Sequence, residues 1–248
     1  NDILAANYPF ATIEPNTGIV PVPDPRLAKL AEIYGSQKII PATVTFVDIA
    51  GLVAGASKGE GLGNKFLANI RQCDAIIHIV RAFENNDIVH VSSTINPKND
   101  IEVINTELIL ADIQTIENRL PRLQKEAKAN PKIRSQVDYL SSLLENLRSG
   151  KTLSTLENID HSLISDLHLL TAKPVIYAFN VDEDTLTNQD KKDKLAGLVS
   201  PAKSIFVCAK LEEEIKGLDE NDAKELLESY GVQETGLSQM IHAAYDIL

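Results

Sequence analysis

A strand-like run of apolar and β-branched residues ends in an aspartate, and a glycine follows with two residues between them. The run is Val47-Asp48-Ile49-Ala50-Gly51. A carboxylate at a strand tip, here Asp48, is suited to hold the hydration shell of Mg²⁺, and Gly51 has no side chain to keep its backbone N–H away from a terminal phosphate. Such a pair suits phosphoryl chemistry on a nucleoside triphosphate. Four residues of this kind also occur in plain turns, so the motif needs support from elsewhere in the chain.

The segment after this motif is rich in glycine. It reads LVAGASKGEGLGNKF over positions 52–66. Its glycines are spaced too irregularly for a dinucleotide-binding fingerprint. They lower the cost of changing the backbone conformation, which suits a switch loop that responds to a γ-phosphate. A flexible surface loop without a switch role is the alternative interpretation.

A second group of polar residues follows a later strand-like run. Asn180 can offer a donor and an acceptor to a base edge. Guanine-specific sites use the pattern Asn-Lys-x-Asp, whereas this chain has Val181 in the lysine position and Glu183 in the aspartate position. The extra methylene should misplace the carboxylate for guanine, which favours adenine. The tripeptide Cys208-Ala209-Lys210 resembles a Ser-Ala-Lys loop whose backbone contacts the base.

The elements that must position these residues are short buried strands separated by helical segments. This alternation predicts an α/β fold with a doubly wound, mainly parallel sheet, in which ligands bind beyond the carboxyl ends of the strands. Asp48, Asn180 and Cys208 all stand at such ends. The predicted strands are Thr43–Asp48, Ala75–Arg81, Val175–Asn180 and Ser204–Cys208.

Between the second and third predicted strands, the apolar residues recur at helical spacing. Two such runs flank Asn130-Pro131, which predicts an antiparallel α-helical hairpin. A third helix, Ile159 to Leu170, should return the chain to the sheet. We therefore predict a helical coiled-coil insertion at 98–170 within a nucleotide-binding domain formed by 1–97 and 171–248. The first run is Ile109, Ile113, Ile116, Leu120, Leu123 and Ala127, and the second is Ile133, Val137, Leu140, Leu144 and Leu147.

Composition narrows the class of protein. The 248 residues contain no long apolar run and no signal-like start, which predicts a cytoplasmic protein without a membrane partner. A net charge of −11 argues against a generally basic surface for nucleic acid, so any such contact must be local. A basic cluster near the hairpin tip could form a nucleic-acid patch or simply a solvated helix end. Its members are Lys125, Lys128, Lys132 and Arg134.

Three segments, taken in order, resemble the Obg-like ATPase (YchF) family along essentially the whole chain. They are NYPFATIEPNTG at 7–18, DIAGLVAGASKGEGLGNKFLANIR at 48–71 and NVDE at 180–183. The resemblance implies a P-loop NTPase of the G-domain type that binds Mg²⁺ and ATP, prefers ATP to GTP, and associates with the large ribosomal subunit. By resemblance, Thr12 is the switch threonine that ligates Mg²⁺, Asp48 and Gly51 form the second phosphate motif, and Asn180, Val181 and Glu183 form an altered base-recognition motif.

The resemblance also concerns the place where many triphosphatases carry a water-positioning glutamine. Leu52 occupies that place. A leucine cannot orient a water molecule by hydrogen bonding, so hydrolysis would rely on another group, on backbone and metal electrostatics, or on a partner. Slow intrinsic turnover is the expectation. His78 and His90 are each better interpreted as a strand or surface histidine than as a substitute for the glutamine.

Two family features have no counterpart in these residues. One is the Walker A loop ending in Gly-Lys-Ser, and the other is the small carboxyl-terminal TGS domain. We therefore expect a sheet without one central strand and impaired hydrolysis. Two alternatives to an ATPase stay open at this point. One is a non-catalytic module that docks on the ribosome or a protein through its hairpin, and the other is a GTP-specific GTPase.

Overall fold

A computed structural model describes residues 16–49, 62–84 and 95–248. The described residues divide into two compact units. The helical unit contains residues 49, 62–76 and 98–175, and the sheet unit contains residues 16–48, 77–84, 95–97 and 176–248.

The strands and helices are labelled in chain order. The strands are β1 (Asn16–Pro21), β2 (Thr43–Asp48), β3 (Ile76–Arg81), β4 (Val175–Asn180) and β5 (Lys203–Val207). The helices are α1 (Pro25–Tyr34), α2 (Leu62–Arg71), α3 (Pro97–Ala129), α4 (Arg134–Arg148), α5 (Glu183–Thr187), α6 (Gln189–Gly197), α7 (Ala209–Ile215), α8 (Glu220–Ser229) and α9 (Gly236–Ile247). Among the described helices, none is both long and apolar enough to cross a membrane.

The strands form two sheets within the described residues. β3, β4 and β5 lie side by side in that order, and β4 is parallel to β5. β2 pairs with β1 in antiparallel fashion. The predicted strands at 43–48 and 175–180 are confirmed, and the other two are shifted by one residue at an end or at both. β1 was not predicted, because it is mostly exposed and carries glycine and proline, so it shows no alternating apolar pattern.

Helix α9 supplies the core of the sheet unit. Its Ile241 and Ala244 pack with Val44 of β2, while Ala243 packs with residues of β4 and β5. The close approach of α9 to β5 depends on Gly236, because a Cβ added there would lie 2.5 Å from Cγ1 of Val207. Burial of these apolar side chains fixes the strands whose carboxyl ends carry the predicted site.

The predicted helical hairpin is confirmed in the helical unit. α3 and α4 are joined by a short turn in which the Asn130 side chain accepts a hydrogen bond from the Lys132 N–H at 3.2 Å. The helices run antiparallel, as shown by the ion pair between Glu117 and Arg148, 2.6 Å apart. α3 continues past Pro121 to Ala129. Their facing side is a buried leucine- and isoleucine-rich core.

The prediction of a third helix over Ile159–Leu170 is wrong. The segment instead forms two short 3₁₀ turns, His161–Leu163 and Ser165–Leu167, and His168 adopts a left-handed conformation with φ 46°. The apolar residues that suggested a helix do pack against the hairpin core. Beyond the turns, the backbone N–H groups of Leu170 and Thr171 donate to a side chain of α3, and so they take no part in a helical ladder.

That side chain is the fully buried carboxylate of Asp112. It accepts three hydrogen bonds, from the N–H of Leu170 at 2.8 Å and from the N–H and the hydroxyl of Thr171 at 2.7 Å each. Burial raises the pKa of Asp112, and the hydrogen bonds together with the positive charge of Arg71 oppose that rise. Arg71, the last residue of α2, also donates to Thr115 Oγ1 and to the carbonyl of His168, each at 3.0 Å. Polar contacts therefore tie α2, α3 and the 168–171 segment together.

Candidate functional site

Asp48 is the last residue of β2, and its side chain is exposed. An exposed carboxylate at a strand end fits the oxygen ligands that Mg²⁺ prefers. The other predicted phosphate-site residues, namely Thr12, Gly51 and Leu52, lie outside the described residues. In the described part of the chain, no group of three or more histidine, cysteine or acidic side chains is arranged to hold a metal ion.

Asn180 links the carboxyl ends of neighbouring strands. It lies opposite Val207 in the parallel register of β4 and β5. Its side-chain Oδ1 accepts a hydrogen bond from the Ala209 N–H at 3.3 Å, and its backbone carbonyl accepts one from the N–H of Ala82, just after β3, at 2.8 Å. The structure therefore brings together Asn180 and Ala209, two of the predicted base-binding residues.

Val181 and Cys208 are both buried, so their part in a base-binding site would come from their backbone atoms. The Val181 N–H donates to the carbonyl of Val207 at 2.9 Å, and its side chain is only 2% exposed. Any backbone contact from Val181 to a base would thus use its carbonyl oxygen. Cys208 precedes the first residue of α7, and its carbonyl accepts from Glu212 N–H at 3.0 Å.

Glu183, the first residue of α5, contacts a residue that the sequence did not pair with it. Lys210 Nζ of α7 lies 2.8 Å from Glu183 Oε1 and 4.0 Å from Glu214 Oε1. The hydrogen bond to Glu183 raises the pKa of Lys210, so its ammonium group stays charged at neutral pH. The lysine was visible in the Cys-Ala-Lys motif, but its partner only becomes apparent once β4 and β5 lie side by side.

Asp182 has a structural role at the start of α5. Its Oδ1 accepts a hydrogen bond from the Thr185 N–H at 2.8 Å, as expected of a residue that caps a helix. Burial alone would raise the pKa of Asp182, but the hydrogen bonds with Thr185 and the charge of Lys191 lower it overall.

His78 also has a structural explanation. It lies within β3, and its ring centroid is 5.4 Å from that of Tyr177 on β4. Burial lowers its pKa to about 4, so the imidazole is neutral at neutral pH. The interpretation of His78 as a strand or surface histidine is confirmed, since it lies in β3. His90 lies outside the described residues.

Comparison with known proteins decides the family. Residues 1–118 match a family model described as a 50S ribosome-binding GTPase. Over 251 aligned positions the chain is 48% identical to the ribosome-binding ATPase YchF of Pasteurella multocida. The alignment covers 99% of this chain and 69% of that protein. The chain is also 47% identical over 252 residues to the Bacillus subtilis protein of the same name, covering 98% of this chain and 69% of that one. The chain belongs to the YchF family of ribosome-binding ATPases.

The solved structure of the Schizosaccharomyces pombe YchF GTPase has the same fold. It matches 98% of this chain and 68% of its own length with a TM-score of 0.77 and 33% identity. Membership of the YchF family confirms the predicted family and the predicted α/β P-loop fold class. The bacterial YchF proteins are named ATPases and the yeast structure is named a GTPase. These names therefore do not decide between adenine and guanine.

Proposed function

We propose that this chain binds ATP in preference to GTP, hydrolyses it with Mg²⁺, and binds the large ribosomal subunit in the cytoplasm. Nucleotide binding is supported most directly by the Asn180–Ala209 hydrogen bond, with the Glu183–Lys210 ion pair beside it. Both lie beyond the carboxyl ends of parallel strands, where ligands bind in this class of fold.

The side chain of Asn180 supports recognition of a purine. Its Oδ1 already accepts one hydrogen bond, from the Ala209 N–H, while its Nδ2 has two N–H groups that can donate to a base. An amide N–H can donate to N7, an acceptor that adenine and guanine share. Asn180 would therefore select a purine without choosing between the two, and the choice would fall to the neighbouring position 183.

The phosphate end of the site rests on the strand-end aspartate and on the family motif. Asp48 and Thr12 would hold Mg²⁺, which when bound neutralises charge on the β- and γ-phosphates. Gly51 would offer its backbone N–H to the terminal phosphate. Leu52 cannot position a water molecule, which supports slow intrinsic hydrolysis that a partner accelerates.

The hairpin tip is proposed to contact ribosomal RNA. Its four basic side chains, at positions 125, 128, 132 and 134, are all exposed, and none has an acidic side chain of the described residues within 4.0 Å. Lys125 and Lys128 stand near the end of α3, where the helix dipole favours a cation. Arg134 opens α4, where the dipole disfavours one, so helix stability does not account for it. Binding to RNA phosphates would account for the whole cluster.

The division of the chain into a nucleotide-binding domain at 1–97 and 171–248 and a coiled-coil insertion at 98–170 stays a prediction. Under this proposal the insertion carries the RNA contact and the surrounding domain carries the nucleotide. A non-catalytic docking fragment would bind ribosomes but no nucleotide. A GTP-specific enzyme would instead bind GTP more tightly than ATP, so nucleotide titration separates all three functions.

Replacing Asp48 with asparagine should reduce Mg²⁺-stimulated ATP hydrolysis by about 10-fold or more, because a neutral amide is a poorer ligand for a hard dication. Nucleotide affinity measured without Mg²⁺ should change little. Phosphate release at increasing Mg²⁺ concentration gives the result. Asp74→Asn, another exposed aspartate next to a strand, is the matched control. Equal Mg²⁺ dependence in the two variants would rule out Asp48 as a metal-site residue.

Replacing Glu183 with aspartate should raise the affinity for GTP relative to ATP by about 10-fold. The shorter carboxylate regains the place from which it can accept both guanine N–H groups, and such a hydrogen-bond pair discriminates by about 1–3 kcal/mol. Competition of ATP and GTP for one fluorescent nucleotide measures the ratio. The same shortening at the exposed Glu213 should leave the ratio unchanged. A Glu183→Asp variant with the wild-type ratio would remove position 183 from base recognition.

A further inference from the structure

The ion pair between Glu183 and Lys210 joins two loops that the proposed function places around the base. The ammonium is 2.8 Å from Glu183 of the other loop and 4.0 Å from Glu214 of its own helix. The start of α7 is held in place, because the Ala209 N–H donates to Asn180. The backbone of Lys210 therefore has a defined position beside β4, and its side chain extends to the Glu183 carboxylate.

The chemistry of the two purines gives this contact a consequence. Guanine presents two N–H donors on its Watson–Crick edge, and a carboxylate recognises it by accepting from both. Adenine presents one acceptor and one amino group there. An ammonium bound to the same carboxylate occupies one of its oxygens and cancels its charge, so guanine loses much of what would attract it. Adenine loses no comparable interaction. The ion pair therefore discriminates by weakening the binding of GTP and not by strengthening that of ATP.

We infer that Lys210 is a specificity-determining residue, which holds the Glu183 carboxylate and thereby withholds it from a guanine base. The inference rests on the proposed function, because it assigns a role within the base site proposed there. The length of Glu183 and this ion pair act separately. The longer side chain is misplaced for accepting both guanine N–H groups, and Lys210 keeps its carboxylate from accepting even one.

The exposure of the pair sets the size of the effect. Lys210 is 68% exposed and Glu183 is 34% exposed. An ion pair in contact with water is weak and is screened by salt, so its removal should change the nucleotide preference by about 3- to 5-fold. The preference should also depend on ionic strength, because salt weakens the hold of Lys210 on the carboxylate.

The test replaces Lys210 with methionine, which keeps the length of the side chain and removes the charge. ATP and GTP are titrated against the wild-type chain and the variant with Mg²⁺, at low and high salt. We expect the affinity for GTP to rise about 3- to 5-fold while the affinity for ATP changes less than about 2-fold. The GTP-to-ATP affinity ratio should rise with salt in the wild-type chain and stay level in the variant.

Two further variants make the result specific. Lys216→Met removes an exposed lysine that directly follows the same helix and should leave the ratio at its wild-type value. Adding Glu183→Gln to Lys210→Met should abolish the gain, because no carboxylate is left to accept from guanine. An unchanged ratio in Lys210→Met, or a gain that survives Glu183→Gln, overturns the inference. The proposed function is upheld separately if the wild-type chain binds ATP. Failure of the wild-type chain to bind either nucleotide overturns both.

Discussion

Replacing Asp112 with alanine should lower the free energy of unfolding by about 3–5 kcal/mol. The substitution leaves the N–H groups of Leu170 and Thr171 and the Thr171 hydroxyl in the interior without their acceptor. Each buried donor that loses its partner costs about 1–3 kcal/mol. The 168–171 segment should then detach from α3. The Asp112 carboxylate is therefore a main determinant of the stability of the helical unit.

Equilibrium unfolding in urea, followed by circular dichroism, measures the effect. Asp112→Asn should fall between the wild-type chain and the alanine variant, because its one carbonyl oxygen can accept from only part of the set of donors and its amide adds a donor. Asp138→Ala removes an exposed aspartate from α4 and should stay within about 0.5 kcal/mol of wild type. An alanine variant at position 112 as stable as the Asp138 control would show that these hydrogen bonds contribute little.

Reversing the four charges at the hairpin tip should weaken ribosome binding by about 100-fold or more. The variant changes Lys125, Lys128, Lys132 and Arg134 to glutamate. Each lysine or arginine that neutralises an RNA phosphate releases counterions, so binding mediated by four such contacts is strongly dependent on salt. Co-sedimentation with ribosomes at several salt concentrations should show the loss of affinity together with a log–log salt slope that is smaller by about 3.

A control with the same change in net charge separates a local contact from general repulsion. Lys29, Lys38, Lys194 and Lys216 are exposed lysines of the sheet unit, and their replacement by glutamate alters the total charge by the same amount. We expect this variant to keep most of the ribosome affinity. Equal losses in the two variants, or full binding by the tip variant, would contradict a specific RNA contact at the hairpin tip. Circular dichroism should show unchanged helix content in both.

The sequence predicted those elements that are strongly patterned. β2 and β4 follow from runs of β-branched and aromatic residues, although only β4 is mostly buried, and the hairpin follows from its helical spacing. β1 escaped prediction because an exposed strand need not show an apolar pattern. The third helix was predicted from apolar spacing alone. That spacing cannot show that Leu170 and Thr171 give their N–H groups to Asp112, a contact between residues far apart in the chain.

The same distinction applies to the candidate site. Parallel strands bring their carboxyl ends together, so the proximity of Asn180 and Ala209 could be expected from the strand pattern. The pairing of Glu183 with Lys210 could not, because nothing in the local sequence decides which of several acidic neighbours an exposed lysine will contact. The burial of Asp112 could have been predicted, because it stands four residues before the buried Ile116 on the apolar side of α3.

Direct titration of the chain with ATP and with GTP, in the presence of Mg²⁺, tests the central claim. Isothermal calorimetry gives both affinities without a label and without depending on the rate of hydrolysis. We expect both nucleotides to bind, ATP more tightly than GTP. Tighter binding of GTP would contradict the proposed specificity, and the absence of binding to either would contradict the nucleotide function itself.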